Sequence, residues 1–345
     1  MPKTSVRPLL HSVMERAADH LIPFQVSLEV TYRCNLSCKH CYIDVPAGEE
    51  LSFTELKHIL DQLAEAGTMY LMFTGGEALL RPDFFDIAFY ARERGFMVML
   101  LTNGTLVTPG VARKIQRLEP ISVGISLHGA TPATHDGITG VPGSFAATIR
   151  AVELLKDLGV PVSLHTLLMD SNIQEAEEIR SLVQKLGVYH LFGYEFIPAR
   201  SGSLAPYHYE ADPTELCHFI NDERVKGGDT KSGVNSVCKA GRGICSISPA
   251  GDVFPCLLMP MKVGNLRKAS FTEIWQTSPI PELTHLRSIT WQDLSGCQEC
   301  KLTEFCRKCM GVAFAETGKL TEPAPNTCRN AALKREFFKR KEVKA

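Results

Sequence analysis

Glu29-Val30-Thr31-Tyr32-Arg33-Cys34-Asn35-Leu36-Ser37-Cys38-Lys39-His40-Cys41-Tyr42 follows directly on an apolar segment that starts near Phe24. Three thiols inside the eight residues from Cys34 to Cys41 suit a metal cluster. A [4Fe-4S] cube has four irons, so a loop that offers three thiolates leaves one iron for a ligand that is not protein. A catalytic zinc site works by the same logic, its open coordination position being the reactive one. Two blander readings stand beside this one: three unrelated thiols, or part of a zinc site completed from elsewhere in the chain.

The spacing Cys-x3-Cys-x2-Cys followed by an aromatic residue, here Tyr42, resembles the signature of the radical S-adenosylmethionine (SAM) enzymes. The resemblance implies that Cys34, Cys38 and Cys41 hold one site-differentiated [4Fe-4S] cluster whose free iron is chelated by the amino and carboxylate groups of SAM. It also counts Tyr42 among the cofactor-binding residues. One electron then cleaves the sulfonium and releases a 5′-deoxyadenosyl radical. The hard chemistry belongs to the cofactor, while the protein orients the substrate and excludes competing reactions.

Working outward, the stretch from Phe24 to Pro198 alternates short apolar runs with amphipathic helical patterns. Candidate strands are Gln25–Thr31, Met69–Phe73, Phe96–Leu101, Ile121–Ser126, Val162–Leu168 and Tyr189–Ile197. Between them, Phe53–Ala66 carries Leu56, Ile59, Leu60 and Leu63 on one face, and Ser144–Leu158 carries Phe145, Ile149, Val152 and Leu155. Ser52 precedes the first of these helices and Gly67 follows it; Gly159 and Pro161 follow the second. Strand and helix alternating in this way require right-handed parallel crossovers. Six units are too few to close an eight-stranded barrel. The expected fold is therefore α/β, a partial (β/α)6 TIM-like barrel, as the resemblance also implies, followed by a small cysteine-rich C-terminal domain. Functional groups are expected at the carboxyl ends of the strands.

Those ends carry further residues of interest. Thr74-Gly75-Gly76-Glu77 follows the second strand, and two glycines there permit positive φ and close backbone approach to a ligand. The resemblance assigns Gly75, Gly76 and Glu77 to the amino group of SAM. Thr102-Asn103-Gly104 resembles the family's turn after the third strand, with Asn103 as a cofactor contact, although a capped turn explains it as well. Ser126-Leu127-His128-Gly129 resembles a Ser-Leu-Asp-Gly element in which the serine lies near the cofactor, so Ser126 is expected there. His128 replaces the aspartate and places an imidazole near the pocket, suited to proton transfer at neutral pH or to a scaffold role. His165 lies inside an apolar strand and reads as a satisfied interior histidine. Arg200, in Phe196-Ile197-Pro198-Ala199-Arg200, resembles a family position that contacts the cofactor carboxylate or substrate, with surface salt bridging as the alternative.

The texture changes after Arg200. Residues 201–236 are polar and broken by glycines, which reads as a linker or substrate-facing loop with one short helix, Pro213–Arg224. Cys217 in that helix reads as a spare, partly buried thiol. Beyond Val237 come eight cysteines, enough for two four-cysteine cages: Cys238, Cys245, Cys256, Cys297, Cys300, Cys306, Cys309 and Cys328. The first three flank a hairpin, Ile244 to Leu257, with its turn at Pro249-Ala250-Gly251-Asp252. The arrangement resembles the SPASM extension of radical SAM enzymes, departing from it in the two residues, rather than three, between Cys306 and Cys309. By that resemblance Cys238, Cys245, Cys256 and Cys309 hold one auxiliary [4Fe-4S] cluster, and Cys297, Cys300, Cys306 and Cys328 a second. If Cys245 faces away, one auxiliary iron opens. A zinc ribbon built from Cys297, Cys300, Cys306 and Cys309 also fits the spacing. The domain plan is an N-terminal extension (1–24), the barrel (25–200), a bridging region (201–236) and the auxiliary-cluster module (237–345).

Composition narrows the function. A chain of 345 residues, 44% hydrophobic, can bury one large core and a smaller unit. Its net charge of −1 supplies no field for nucleic acid or a membrane surface. Neither a signal peptide nor a span of eighteen apolar residues is present, and twelve cysteines without such a signal point to metal in a reducing cytoplasm rather than to disulfides. Fully cysteine-ligated auxiliary clusters suit removal of an electron from a substrate radical. The leading expectation is oxidative maturation of a ribosomally made peptide or protein, with a flavodoxin or ferredoxin as reductant. Residues 1–24 are too short for a leader-recognition domain, so a leader would be held by a separate protein or by the barrel. The alternatives are maturation of a small cofactor precursor, such as a tetrapyrrole of the haem pathways, and a non-catalytic iron–sulfur or zinc protein. The basic run Lys334 to Lys341 reads as a solvated helical end, or as a surface for an acidic leader.

Overall fold

The computed structural model describes residues 6–46, 48–219, 237–277, 279–306 and 308–342. Six parallel strands, β1 (Gln25–Thr31), β2 (Tyr70–Gly75), β3 (Met97–Thr102), β4 (Ser122–Ser126), β5 (Val162–Leu167) and β6 (Tyr189–Gly193), lie side by side in chain order. Helices α2 (Phe53–Glu65), α3 (Phe84–Glu93), α4 (Pro109–Leu118), α5 (Pro132–Thr139), α6 (Ser144–Asp157) and α7 (Ala176–Leu186) make the crossovers. The mixed α/β architecture with an open parallel sheet is the one expected from the sequence.

Local chemistry sets the boundaries. Ser52 caps α2 through a reciprocal box: Glu55 N–H donates to Ser52 Oγ at 3.3 Å, and Ser52 N–H donates to Glu55 Oε2 at 2.7 Å. Leu56, Ile59, Leu60 and Leu63 then face the sheet, fully buried. β6 stops four residues short of the expected Ile197. Leu168 N–H donates to Gly193 O at 2.7 Å, and beyond that bond β5 has turned away and offers no further ladder.

The second module is not a separate layer. Its strand β7 (Ile244–Ile247) pairs in parallel with β1, matching Val26 to Cys245. β8 (Asp252–Phe254) and β9 (Gly264–Asn265) continue antiparallel, so one nine-stranded sheet runs β6-β5-β4-β3-β2-β1-β7-β8-β9. The expected hairpin therefore serves a second purpose by covering the edge of β1 that an incomplete barrel leaves unpaired. Helix α1 (Val6–Asp19) packs beneath it, with a Glu15–Lys239 ion pair at 2.8 Å, and Trp275 Nε1–H donates to Leu21 O at 3.0 Å.

Two expectations need correction. The start of the bridging region, through α8 (Pro213–Phe219), is docked rather than loose. After α9 (Pro281–Ser288), helices α10 (Met310–Thr317) and α11 (Pro325–Glu342) receive it: Tyr207 donates to Glu316 at 2.6 Å, and Asn326 and Arg329 both bond Glu210. The expected continuation to Arg224, and the Cys217 side chain, lie outside the described residues. Nor is the basic C-terminal run uniformly solvated. Lys334 is 2% exposed and its ammonium meets Glu195 at 2.9 Å above the Tyr194 ring, because a buried charge needs a partner. The side chains of Lys339, Arg340 and Lys341 lie outside the described residues. No helix among the described residues is long and apolar enough to cross a membrane.

Candidate active site and metal centres

The loop after β1 carries Cys34 and Cys41 exposed and Cys38 half-buried. It rests on the end of α5, where Ser37 N–H donates to Thr139 O at 2.8 Å and Lys39 N–H to Ile138 O at 3.2 Å. Burial, then the sulfurs of Cys41 and Cys34, push the Cys38 thiol up to about 12. Cys34 Sγ accepts from Leu36 N–H at 3.4 Å and from Asn103 Nδ2 at 3.9 Å. Mutually destabilising thiolates with N–H donors aimed at sulfur are a donor set that a cationic iron cluster relieves, releasing protons as it binds.

The turn after β2 is built around Gly75 and Gly76, but their space is taken by the chain itself. A Cβ on Gly76 would lie 2.8 Å from Tyr32 O and from Arg33 C, and nearer still to Arg33 O; Gly75, at φ +123°, is crowded in the same way by Thr31 O. Glu77 is fully buried and its oxygens are occupied: Thr102 Oγ1 donates at 2.8 and 2.9 Å, Asn103 N–H at 2.7 Å and Leu79 N–H at 3.1 Å. Burial raises its pKa against those bonds. The carboxylate thus joins the ends of β2 and β3. Asn103 continues the chain of contacts by donating to Asn35 Oδ1 at 3.0 Å inside the cysteine loop. The Thr102-Asn103-Gly104 turn is therefore more than a cap.

On the inner face of the sheet, paired positions line up as Ser126, His165 and Leu191. With His128, Thr166, Leu167, Phe192 and Gly193 they line a cavity of about 330 Å³. His165 is satisfied as expected, with Nε2 3.0 Å from Ser163 Oγ, yet it lies on the cavity face. His128 also borders the cavity. It is buried between His40 (ring centroids 4.6 Å apart) and His135 (6.0 Å), and its backbone N–H donates to His135 Nδ1 at 3.1 Å. Burial, then the neighbouring His40 and His135 rings, push its pKa well below the usual histidine value, and its Nδ1 is buried with no hydrogen-bond partner among the described residues. No sequence signal had linked His40 and His135 to it.

Arg200 is neither on the surface nor free. Its guanidinium pairs with Glu29 of β1 and donates to Leu257 O at 3.1 Å, and its backbone N–H donates to Tyr42 O at 2.8 Å. The Tyr42 hydroxyl also reaches Glu29, at 3.1 Å. Glu29 escaped notice in the sequence; it is the one carboxylate among the alternating polar positions Gln25, Ser27, Glu29 and Thr31 of β1.

Among the C-terminal cysteines, burial and then the sulfurs of Cys309 and Cys238 push Cys256 up to about 12. Cys245, buried on β7, is pushed up by burial and by Cys256, making it the outlying member of this group. Cys306 is raised to about 11 by burial, then by Cys328, Cys297 and Cys300. Cys309 thus neighbours Cys238 and Cys256 rather than the group at Cys297, the arrangement a zinc ribbon would have required. No three His, Cys, Asp or Glu side chains among the described residues converge tightly enough to hold a single metal ion. The eleven cysteines with described side chains are all free thiols.

Comparison with known proteins identifies the two modules. Residues 28–183 match the model of the radical SAM superfamily, and residues 238–310 match SPASM, an iron–sulfur cluster-binding domain. An AdoMet-dependent heme synthase of Methanosarcina barkeri is 32% identical over 340 residues, covering 88% of this chain and 95% of that protein. The mycofactocin maturase MftC of Mycobacterium tuberculosis is 31% identical over 350 residues, covering 93% and 86%. Among solved structures, Streptococcus suis SuiB bound to precursor peptide SuiA superposes with a TM-score of 0.72 at 15% identity, over 91% of this chain and 78% of that one. This chain belongs to the radical SAM enzymes, using SAM and a [4Fe-4S] cluster, and carries a SPASM iron–sulfur domain.

Proposed function

We propose that this enzyme oxidatively modifies a ribosomally made peptide or protein. Cys34, Cys38 and Cys41 would hold the site-differentiated cluster, with Gly75, Gly76, Glu77, Asn103, Ser126 and Tyr42 framing the SAM site. Bound there, the cofactor pair supplies a 5′-deoxyadenosyl radical that abstracts hydrogen from the substrate. Two auxiliary [4Fe-4S] clusters, on Cys238, Cys245, Cys256 and Cys309 and on Cys297, Cys300, Cys306 and Cys328, would accept the remaining electron; the neighbouring sulfurs within each group support that division. The protein's own part is positional. Glu77 pins the ends of β2 and β3 together, and the Ser126–His165–Leu191 row would present hydroxyl, imidazole and apolar surface to the substrate. A flavodoxin or ferredoxin in the cytoplasm would supply the reducing electron, and a separate protein would present any leader.

The observation that carries the peptide reading is the shape of the substrate face. A cavity of about 330 Å³ is at the lower end of small-molecule pockets. It opens beside β6, an edge strand whose Tyr189 and Leu191 are exposed, which suits one side chain delivered on an extended main chain. The second reading, a haem-pathway tetrapyrrole, rests on the Methanosarcina relative, matched over 95% of its length. Anaerobic incubation with SAM and a strong reductant should yield 5′-deoxyadenosine. Adding the peptide encoded by a short reading frame beside the gene should give a product with altered mass. Turnover of a tetrapyrrole precursor with no change in that peptide would overturn the reading.

A further inference from the structure

Arg200 sits where three segments meet. Its guanidinium and Glu29 form an ion pair whose side chains are 5% and 0% exposed. The same group donates to Leu257 O at 3.1 Å and lies 4.9 Å from the Phe254 ring centroid and 5.9 Å from that of Tyr42. Glu29 accepts further bonds from Tyr32 at 3.3 Å and Tyr42 at 3.1 Å. Tyr42 directly follows Cys41, while Phe254 and Leu257 bracket Cys256. A planar, forked cation can bond a carboxylate and a carbonyl at once while stacking on rings, which a lysine ammonium cannot.

The geometry points to a positioning role: Arg200 fixes the loop of Cys34, Cys38 and Cys41 relative to the segment of Cys256, and so sets the separation between the radical-generating cluster and the first auxiliary cluster. Electron transfer falls steeply with distance, so this spacing governs how fast an electron left on the substrate is collected. The inference rests on both cysteine groups holding clusters, as proposed above.

The test is anaerobic reconstitution of wild type, Arg200→Lys and Arg200→Met with iron and sulfide. After reduction, the magnetic coupling between the two clusters is read by EPR, and iron content and urea midpoint are measured on the same samples. Arg200→Lys keeps the charge opposite Glu29, so it should hold full iron and a near wild-type midpoint while its coupling spreads over a wider range. Arg200→Met should show the same spread with a lower midpoint. If Arg200→Met fails to retain iron, Arg200→Lys alone decides. Unchanged coupling in a variant with full iron overturns the positioning role and leaves the cluster assignment intact. Wild-type protein with iron at the first site alone overturns both.

Discussion

Gly76→Ala separates two reasons for a glycine at the end of β2. If the glycines exist to let SAM approach the backbone, the substitution weakens cofactor binding and leaves the empty protein alone. The structure gives a different reason. The added Cβ would sit 2.8 Å from Tyr32 O and Arg33 C and closer to Arg33 O, all backbone atoms that cannot rotate aside. Two bonds pin the turn there, Gly76 N–H to Thr31 O at 2.8 Å and Glu77 N–H to Arg33 O at 2.9 Å. Ordinary contact distances require a shift on the order of 1 Å. Overpacking of this kind costs about 1–3 kcal/mol. Weakening the two bonds adds about 0.5–1.5 kcal/mol each. The sum is about 2–6 kcal/mol, and with a urea slope of about 3 kcal/mol per molar it lowers the midpoint by roughly 0.7–2 M. The assay is urea unfolding of metal-free protein under reducing, anaerobic conditions without SAM. A wild-type midpoint for Gly76→Ala in that assay would refute the steric argument and return the glycine to the cofactor.

Other consequences can be checked independently. Cys309→Ser and Cys297→Ser should each remove iron, and the double variant should lose the sum; a double variant no worse than either single would place both residues on one cluster. Lys334→Met removes a buried charge and keeps the volume, so it should be close to neutral in urea, whereas Glu195→Gln strands the ammonium and should destabilise by about 1–3 kcal/mol; the reverse order would contradict the burial argument. His40 and His135 are held neutral by burial, with pKa values near 4 against the ordinary 6.5. The unfolded chain therefore binds the extra protons, and the stability present above about pH 6.5 should fall progressively toward pH 4, by up to about 1.4 kcal/mol per pH unit for each ring. His135→Asn should flatten that slope in urea midpoints measured across the range.

The barrel was legible because its signals are local and redundant. Leu56, Ile59, Leu60 and Leu63 share a helical face, Ser52 and Gly67 punctuate it, and β1 emerges at Gln25–Thr31 as read from the sequence. The cysteine loop was equally plain, since Cys34, Cys38 and Cys41 are close in the chain. Illegible features depend on contacts between distant positions. Glu29 meets Arg200 across the fold, and nothing in the periodicity of β1 says that its one carboxylate will be fully buried. Lys334 looked like part of a charge run because its partner Glu195 lies on a different element. The glycines after β2 were read as positions of close approach to a ligand, and only the crossing of Thr31–Arg33 over the turn reveals that the chain's own backbone approaches them. The parallel docking of β7 on β1 was hidden for a related reason, because a strand edge carries no sequence mark of its eventual partner.

An open six-stranded barrel must finish without a seventh strand to pair with β6, and the segment from Tyr194 to Ser201 does this with side-chain and single backbone bonds in place of a ladder. Glu195 reaches Lys334 on α11, the helix that carries Cys328, and its carboxylate also bears on the Cys309 thiol. Arg200 N–H donates to Tyr42 O beside Cys41, and its guanidinium reaches Leu257 beside Cys256. Ser201 donates to Asp44, just beyond the same cysteine loop. One short stretch therefore contacts the neighbourhoods of all three cysteine groups, and it does so immediately after Gly193, which lines the cavity. A ladder would resist displacement along its whole length, whereas these contacts are discrete and spread over the three groups. Displacing the end of β6 would therefore strain separate contacts to the three cysteine groups, where a seventh strand would have held the edge through one shared ladder.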